Sequence, residues 1–349
     1  MNWRGRSLGL WVVVLSLVLV AAGGGLLIKR HYSHPVIDFS AGQPGAEVIV
    51  SIPSGASGAD VAHILEAKKV VMTWQAFFNR ATFDPRSIKI QPGAHRMATH
   101  IPAKIALDQL LDRGRMVGLI NIPEGMRAAD VLKLLAKSGW RQADLDAAFS
   151  AATPPSGYQA PNVEGYLFPA TYSFVPGTSA GNVLQTMLAR FQSEANSLDL
   201  TSGAAALNIT PAQVVTIASL AQGEGDPSDF SKIARVVLNR LADGMKLQLD
   251  TTVLYALKVA GRIKVTNVDL QVASKYNTYL HAGLPPGPIG NPGRSALMAA
   301  MNPAPGPWIY FITVRPGDTR FTDSESQFFK WKAEYERNYA AGAFNSSSP

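Results

Sequence analysis

The 349-residue chain contains no cysteine. That excludes a disulfide scaffold and any thiolate metal site. Histidine is scarce. The six residues at 31, 34, 63, 95, 100 and 281 are scattered, with no His-Glu-x-x-His and no ligand spacing, so no metal centre is expected. No Walker-type Gly-Lys-Ser occurs, and no nucleotide or other cofactor is expected. Charged residues make up only 16% of the chain, and no run of Lys and Arg is long enough to be a nucleic-acid arm. Nucleic acid is therefore not an expected partner.

What charge there is leans basic, with a net of +7 and a pI near 9.5. That balance favours an anionic polymer or a membrane surface. The length allows roughly two domains of about 150 residues, and 47% hydrophobic content can fill their cores. Residues 8–28 form an uncharged apolar run, preceded by Arg4 and Arg6 and followed by Lys29, Arg30 and His31. Its length suits a single bilayer-spanning helix, with the N-terminus in the cytoplasm. A cleaved signal peptide ending near Val20-Ala21-Ala22 is the rival reading, but the apolar run continues to Ile28. Either way the bulk of the chain is exported.

A pattern then appears twice. Ile52-Pro-Ser-Gly55 leading into Ala59-Asp60-Val61 and Leu65 recurs 70 residues later as Ile122-Pro-Glu-Gly125 leading into Ala129-Asp130-Val131 and Leu135. Each copy reads as a short strand, a Pro/Gly turn and an amphipathic helix. The strands are expected at 48–52 and 117–122. A looser third copy has a strand at 88–93 and a helix at 103–111. Together these give a compact α+β module. Residues 154–157 then break the chain, and an aromatic-rich looped segment follows from Asn162 to Phe174. Further helices are expected at 182–198, 231–242, 295–301 and 328–339, with a strand at 308–314. The last residues, from 339 on, read as a disordered tail.

The helix beginning at Thr210-Pro211-Ala-Gln213 has a capping box and proline at its first position. It is apolar nearly all round, so it should be a buried central helix. At its end stands Glu224. A carboxyl group held against apolar surface keeps its proton to higher pH, as a general acid must. An exposed carboxylate at a helix end would leave the same sequence trace. Gln222 lies about 200 degrees away around a helix, so the two would not share a cleft if the helix runs that far. Glycines 223 and 225 suggest that the backbone leaves the helix there. If Leu247-Gln-Leu-Asp250 is extended, Gln248 and Asp250 share a face. Otherwise Asp250 caps a helix over 252–257. Tyr276-Asn277-Thr278-Tyr279 offers aromatic faces with an amide between them, suited to a sugar or equally to anchoring a surface loop. Glu164 is a possible second carboxylate.

Several of these segments in this order resemble the endolytic murein transglycosylase family (MltG, also YceG-like). They are Glu164-Gly-Tyr-Leu-Phe-Pro-Ala-Thr-Tyr172, Ala218-Ser-Leu-Ala-Gln-Gly-Glu224, Val236-Val-Leu-Asn-Arg-Leu241, Met245 to Leu254, Tyr276 to Tyr279, Gly283 to Ile289 and Asn302-Pro303. The resemblance implies an α+β fold. Residues 1–30 would be a cytoplasmic tip and membrane anchor, 31–45 a linker, 46–117 a LysM-like module and 118–338 the catalytic domain. It implies a single-pass inner-membrane protein with its catalytic domain in the periplasm. The implied activity cuts peptidoglycan glycan strands between N-acetylmuramic acid and N-acetylglucosamine, leaving 1,6-anhydro ends. Penicillin-binding proteins of wall elongation are the implied protein partners. The second Glu of the family's Glu-x-Glu motif matches Glu224, which makes Glu224 the catalytic acid/base. The first is Gln222 here, a departure that removes a neighbouring charge. Gln222, Gln248, Asp250, Tyr276, Asn277, Tyr279 and Glu164 are the candidates for holding substrate. A water-using muramidase and a non-enzymatic wall-binding scaffold are the alternatives.

Overall fold

The computed structural model describes residues 36–344, apart from positions 54, 260, 261, 263 and 264. The expected membrane span at 8–28 lies outside the described residues. Among those described, no single helix is long and apolar enough to cross a membrane. The chain divides into two compact units, with the boundary between Val117 and Gly118. The fold is α+β, with twelve α-helices and small antiparallel sheets among the described residues.

In the first unit, β1 (Glu47–Ile52) pairs antiparallel with β2 (Gly93–Ala98), which pairs with β3 (Met116–Val117). Val50 and Ile52 point into the core and Ser51 points out, the alternation expected of a half-buried strand. Between β1 and β2 lie α1 (Gly58–Ala67) and α2 (Trp74–Thr82); α3 (Ala103–Leu111) follows β2. Ser57 and Asp60 form a capping box on α1. Thr73 caps α2. Leu65, Phe77, Met97 and Leu107 close the core. The strand expected at 88–93 starts later. Asp84 accepts from Arg86 N and initiates a 3₁₀ turn over Pro85–Lys89, so pairing begins only at Gly93.

The strand expected at 117–122 is interrupted. Gly118 has φ +63°, and a Cβ there would collide with the Phe174 carbonyl. β3 ends before it. β4 (Leu119–Asn121) begins after it and pairs with β5 (Thr171–Ser173) in the second unit.

The second unit wraps α8 (Pro211–Glu224). Every residue from Val214 to Ala221 is buried, because no face of the helix is polar. The Thr210–Gln213 capping box and Pro211 start it as the sequence indicates. Its two internal hydroxyls are satisfied: Thr216 donates to Ala212 O and Ser219 to Thr216 O. Around it are α4 (Ala128–Lys137), α5 (Gln142–Ala151), α6 (Ala180–Ser197), α7 (Leu200–Ala206), α9 (Phe230–Ala242), α10 (Asp250–Ala256) and α11 (Arg294–Met301). Ser179, within a Gly-x-Ser-x-Gly spacing, spends its hydroxyl capping α6 by accepting from Asn182 N. Arg235, Asn239 and Arg240 on α9 donate to main-chain carbonyls at 303, 304, 306, 308 and 309. These bonds tie the returning chain to the core before the β6 (Tyr310–Arg315) and β7 (Asp318–Thr322) hairpin. α12 (Glu325–Ala340) closes the unit. The tail expected from 339 is described as far as residue 344, and the Phe344 ring lies 5.4 Å from Tyr335, an apolar contact that small polar neighbours conceal in sequence.

Candidate active site

Four segments of the second unit meet around the end of α8. They are Gln222–Glu224, the start of α10 at Asp250–Thr251, the turn at 123–127 before α4, and the loop at 289–293 before α11. Buried Asn291 joins two of them. Its Nδ2 and its main-chain N both donate to Met126 O, while its Oδ1 accepts from Leu167 N. Gly125 N returns a bond to Asn291 O at 2.7 Å. Ser219 Oγ accepts from Ile289 N, which holds the proline-rich loop against the central helix.

α8 continues through Gly223 and ends at Glu224. Gly223 does not end the helix, and only Gly225 is required by close approach. Gly225 is in extended conformation, and a Cβ there would press on Ile233 at 2.5 Å. Because the helix runs on, Gln222 and Glu224 diverge. Gln222 Oε1 accepts from Gly293 N at 3.1 Å, and its Cγ faces Gly125. Glu224 turns to α10, where Thr251 Oγ1 donates a short hydrogen bond to its Oε1.

Glu224 is half-buried, and burial pushes its carboxyl up to about 7. The Thr251 bond pulls the other way, and the charge of Asp250 adds to the rise. Asp250 is the first residue of α10, not its cap: the cap position is Leu249, and no side chain caps it. The Asp250 carboxylate accepts instead from Tyr279 Oη at 2.6 Å. Burial raises Asp250 too, against the Tyr279 bond and the Lys332 ammonium. The like charge that Gln222 lacks therefore comes from Asp250.

Glu164 is 5% exposed. Its Oε1 accepts from Ala128 N at 2.8 Å and its Oε2 from Tyr255 Oη at 3.2 Å. Burial pushes it up to about 7, against those two bonds and the nearby Arg127 charge. It serves the first turn of α4, and its charge is not among those that act on Glu224.

Leu247–Leu249 is not a strand. Gln248 sits at φ +51°, exposed, with its Oε1 near Arg240 Nη1, so alternation does not put it beside Asp250. Asn277 is fully buried, and its amide is consumed. It donates to Leu270 O and Val272 O and accepts from Tyr279 N, so it folds the loop and offers nothing to a ligand. Tyr276 packs on Tyr255, ring centroids 4.8 Å apart. Tyr279 reaches Asp250.

Two residues of the site carry no signal in the sequence alone. Thr251 lies inside the Asp250-Thr-Thr run but is marked only by its contact with Glu224. Arg127, inside the second repeat copy, donates to Leu254 O and Val259 O and lies 5.5 Å over the Tyr255 ring. It lines a cavity of about 180 Å³ with Gly125, Gly223, Thr251, Ile289 and Gly290.

With this geometry in place, comparison with known proteins is informative. The sequence profile of the YceG-like family matches residues 50–338. The chain belongs to the YceG-like family. Over 177 residues, half of this YceG-like chain, it is 39% identical to the endolytic murein transglycosylase of Bacillus subtilis and covers 48% of that protein. Over 179 residues it is 33% identical to the endolytic murein transglycosylase of Streptococcus pneumoniae, covering 32% of it. The matched part thus spans at most about half the length of these curated relatives. A crystal structure of a YceG-like protein from Listeria monocytogenes aligns with a TM-score of 0.55 and 27% identity, over 82% of this chain and 99% of that one.

Proposed function

We propose that this chain is an endolytic murein transglycosylase with Glu224 as its acid and base. One observation carries the reading: a half-buried carboxyl at the end of a helix buried from Val214 to Ala221, bound by Thr251 and raised to about 7. Glycosidic cleavage needs a donor of that kind, protonated near neutrality. With Oε1 occupied by Thr251, Oε2 carries the proton to the leaving glycosidic oxygen. The ionised carboxylate then takes the proton from the muramic acid C6 hydroxyl. That oxygen bonds to C1 as the C1–O bond to the leaving sugar breaks, giving a 1,6-anhydro end. The internal nucleophile is already in place, so no base-activated water is required. A hydrolase would need a second, ionised carboxylate. The nearest, Asp250, is bound by Tyr279 and raised by burial.

Residues 8–28 would tether the protein to the inner membrane, and the first unit would act as a LysM-like module. The test is to incubate the full chain, and Glu224→Gln, with purified peptidoglycan and weigh the fragments. Anhydro ends from the wild type alone are expected. Reducing ends would replace this mechanism by hydrolysis.

A further inference from the structure

The cavity beside Glu224 has no part in the proton transfers just described. Its floor is main chain. Gly125, Gly223 and Gly290 bring three segments together, and a methyl at Gly290 would sit 2.6 Å from the Gly125 carbonyl oxygen. One wall is Thr251, the residue that holds the acid. Leu254, Val259 and Ile289 add aliphatic carbon, and the Ser219 hydroxyl beside them is spent on Thr216 O and Ile289 N. The charge comes from Arg127 and Arg262; no carboxylate lines the space among the described residues.

Arg127 is held in place before any ligand arrives. Its Nη1 donates to Leu254 O at 3.3 Å and Val259 O at 2.9 Å, and its guanidinium lies over Tyr255. Among the described residues its Nη2 and Nε donate no hydrogen bond, so an edge of the planar fork is open to a carboxylate. Glu164 lies close to this charge, but its oxygens are taken by Ala128 N and Tyr255, and burial favours its neutral form. Arg262 pairs with Asp269 at 2.7 Å. At about 180 Å³ the cavity is smaller than pockets that enclose whole ligands, about 300–1,000 Å³. It is sized for one substituent of a larger ligand lying across the cleft.

We propose that this cavity is a subsite for a carboxylate-bearing substituent of the sugar whose glycosidic bond faces Glu224. The proposal rests on the transglycosylase reading above and adds a substrate feature to it. In peptidoglycan that chemistry has two sources. One is the free lactyl carboxylate of a stem-free muramic acid; the other is a carboxylate on a peptide stem.

The test uses the full chain carrying Glu224→Gln, so that binding is measured without turnover. It is titrated with stem-free glycan strands, with the same strands after the lactyl carboxyls are converted to methylamides, and with stem-bearing strands before and after the same conversion. Neutralisation is expected to weaken binding of at least one strand type about tenfold or more. The type affected identifies the source. Adding Arg127→Gln or Arg262→Gln should make charged and neutralised strands bind alike. Arg113→Gln, in the first unit, should keep the preference. Equal binding of charged and neutralised strands of both types overturns the proposal. So does an equal loss of preference in Arg113→Gln, which would mean a general attraction of polyanions. If Arg127→Gln does not fold, Arg262→Gln still decides. Wild-type cleavage is followed in parallel. No anhydro ends from any strand sinks the transglycosylase reading itself, whereas equal cleavage of charged and neutralised strands sinks only the subsite.

Discussion

The two copies of the Ile-Pro-x-Gly turn begin with the same local chemistry and end in different roles. In the first, α1 is capped from within: Ser57 Oγ accepts from Asp60 N, and the Asp60 carboxylate accepts from Ser57 N. Its Gly55, at φ +80°, has nothing within 4 Å of where a Cβ would be. In the second, α4 follows Arg127, and no side chain of the turn caps it. The first N–H of α4 goes to Glu164, far along the chain. Its Gly125 is at φ +76°, and a Cβ there would lie 3.2 Å from Gln222 Cγ. A helix start that satisfies itself is free of the rest of the fold. One that leaves its donors open recruits a buried carboxylate, and here the turn itself meets Gln222, two residues before the candidate acid.

The comparison breaks first at the acid. Glu224→Gln should lower the release of anhydro ends about 10³-fold, with no loss of cooperative unfolding. If activity survives, the second turn borders nothing catalytic. The next largest contrast is between matched glycines. Gly55→Ala and Gly125→Ala each force an L side chain into left-handed backbone, costing about 1–2 kcal/mol. Only Gly125→Ala also displaces Gln222, and it alone should lower activity, by about tenfold. Equal activity in the two variants would mean that the turns are interchangeable.

The caps give a contrast in stability. The folded state raises Glu164 from 4.5 to about 7. A raised carboxyl contributes stability that is fully present below pH 4.5 and is lost as pH rises through about 7. Glu164→Gln keeps a neutral acceptor for Ala128 N and removes that loss. Its urea unfolding should match wild type at pH 4 and exceed it by up to about 3 kcal/mol at pH 8. Ser57→Ala should instead cost about 1 kcal/mol in the first unit and leave activity unchanged.

The elements whose signals are local were legible in the sequence. The Thr210 capping box, Pro211 and the all-round apolar run place α8 and put Glu224 at its end. The repeat gave both turns and both helices. What was not legible depends on chain segments far apart. The break at Gly118 exists because the Phe174 carbonyl comes close. Asn277 and Tyr279 look alike as polar loop residues. Yet Asn277 is spent on carbonyls of its own loop, while Tyr279 reaches a carboxylate 29 residues away. Arg127 carries no pattern beyond a repeat position that Ser57 occupies in the other copy.

The smallest effect is also the most diagnostic, because it concerns where the charge beside Glu224 comes from. Burial is the main cause of the raised carboxyl, and Asp250 adds to it. Asp250→Asn removes one negative charge, so Glu224 should give up its proton at lower pH. The acid form is what cleaves, and the alkaline limb of the kcat/KM profile should therefore move down. Gln222→Glu would place a charge on the same helix two residues earlier, and that charge should move the limb up. The Gln222 side chain points to Gly125 and Gly293, however, not toward Thr251. Its shift should be the smaller of the two. A larger shift from Gln222→Glu than from Asp250→Asn would mean that the helix neighbour governs the acid and that the α10 carboxylate does not.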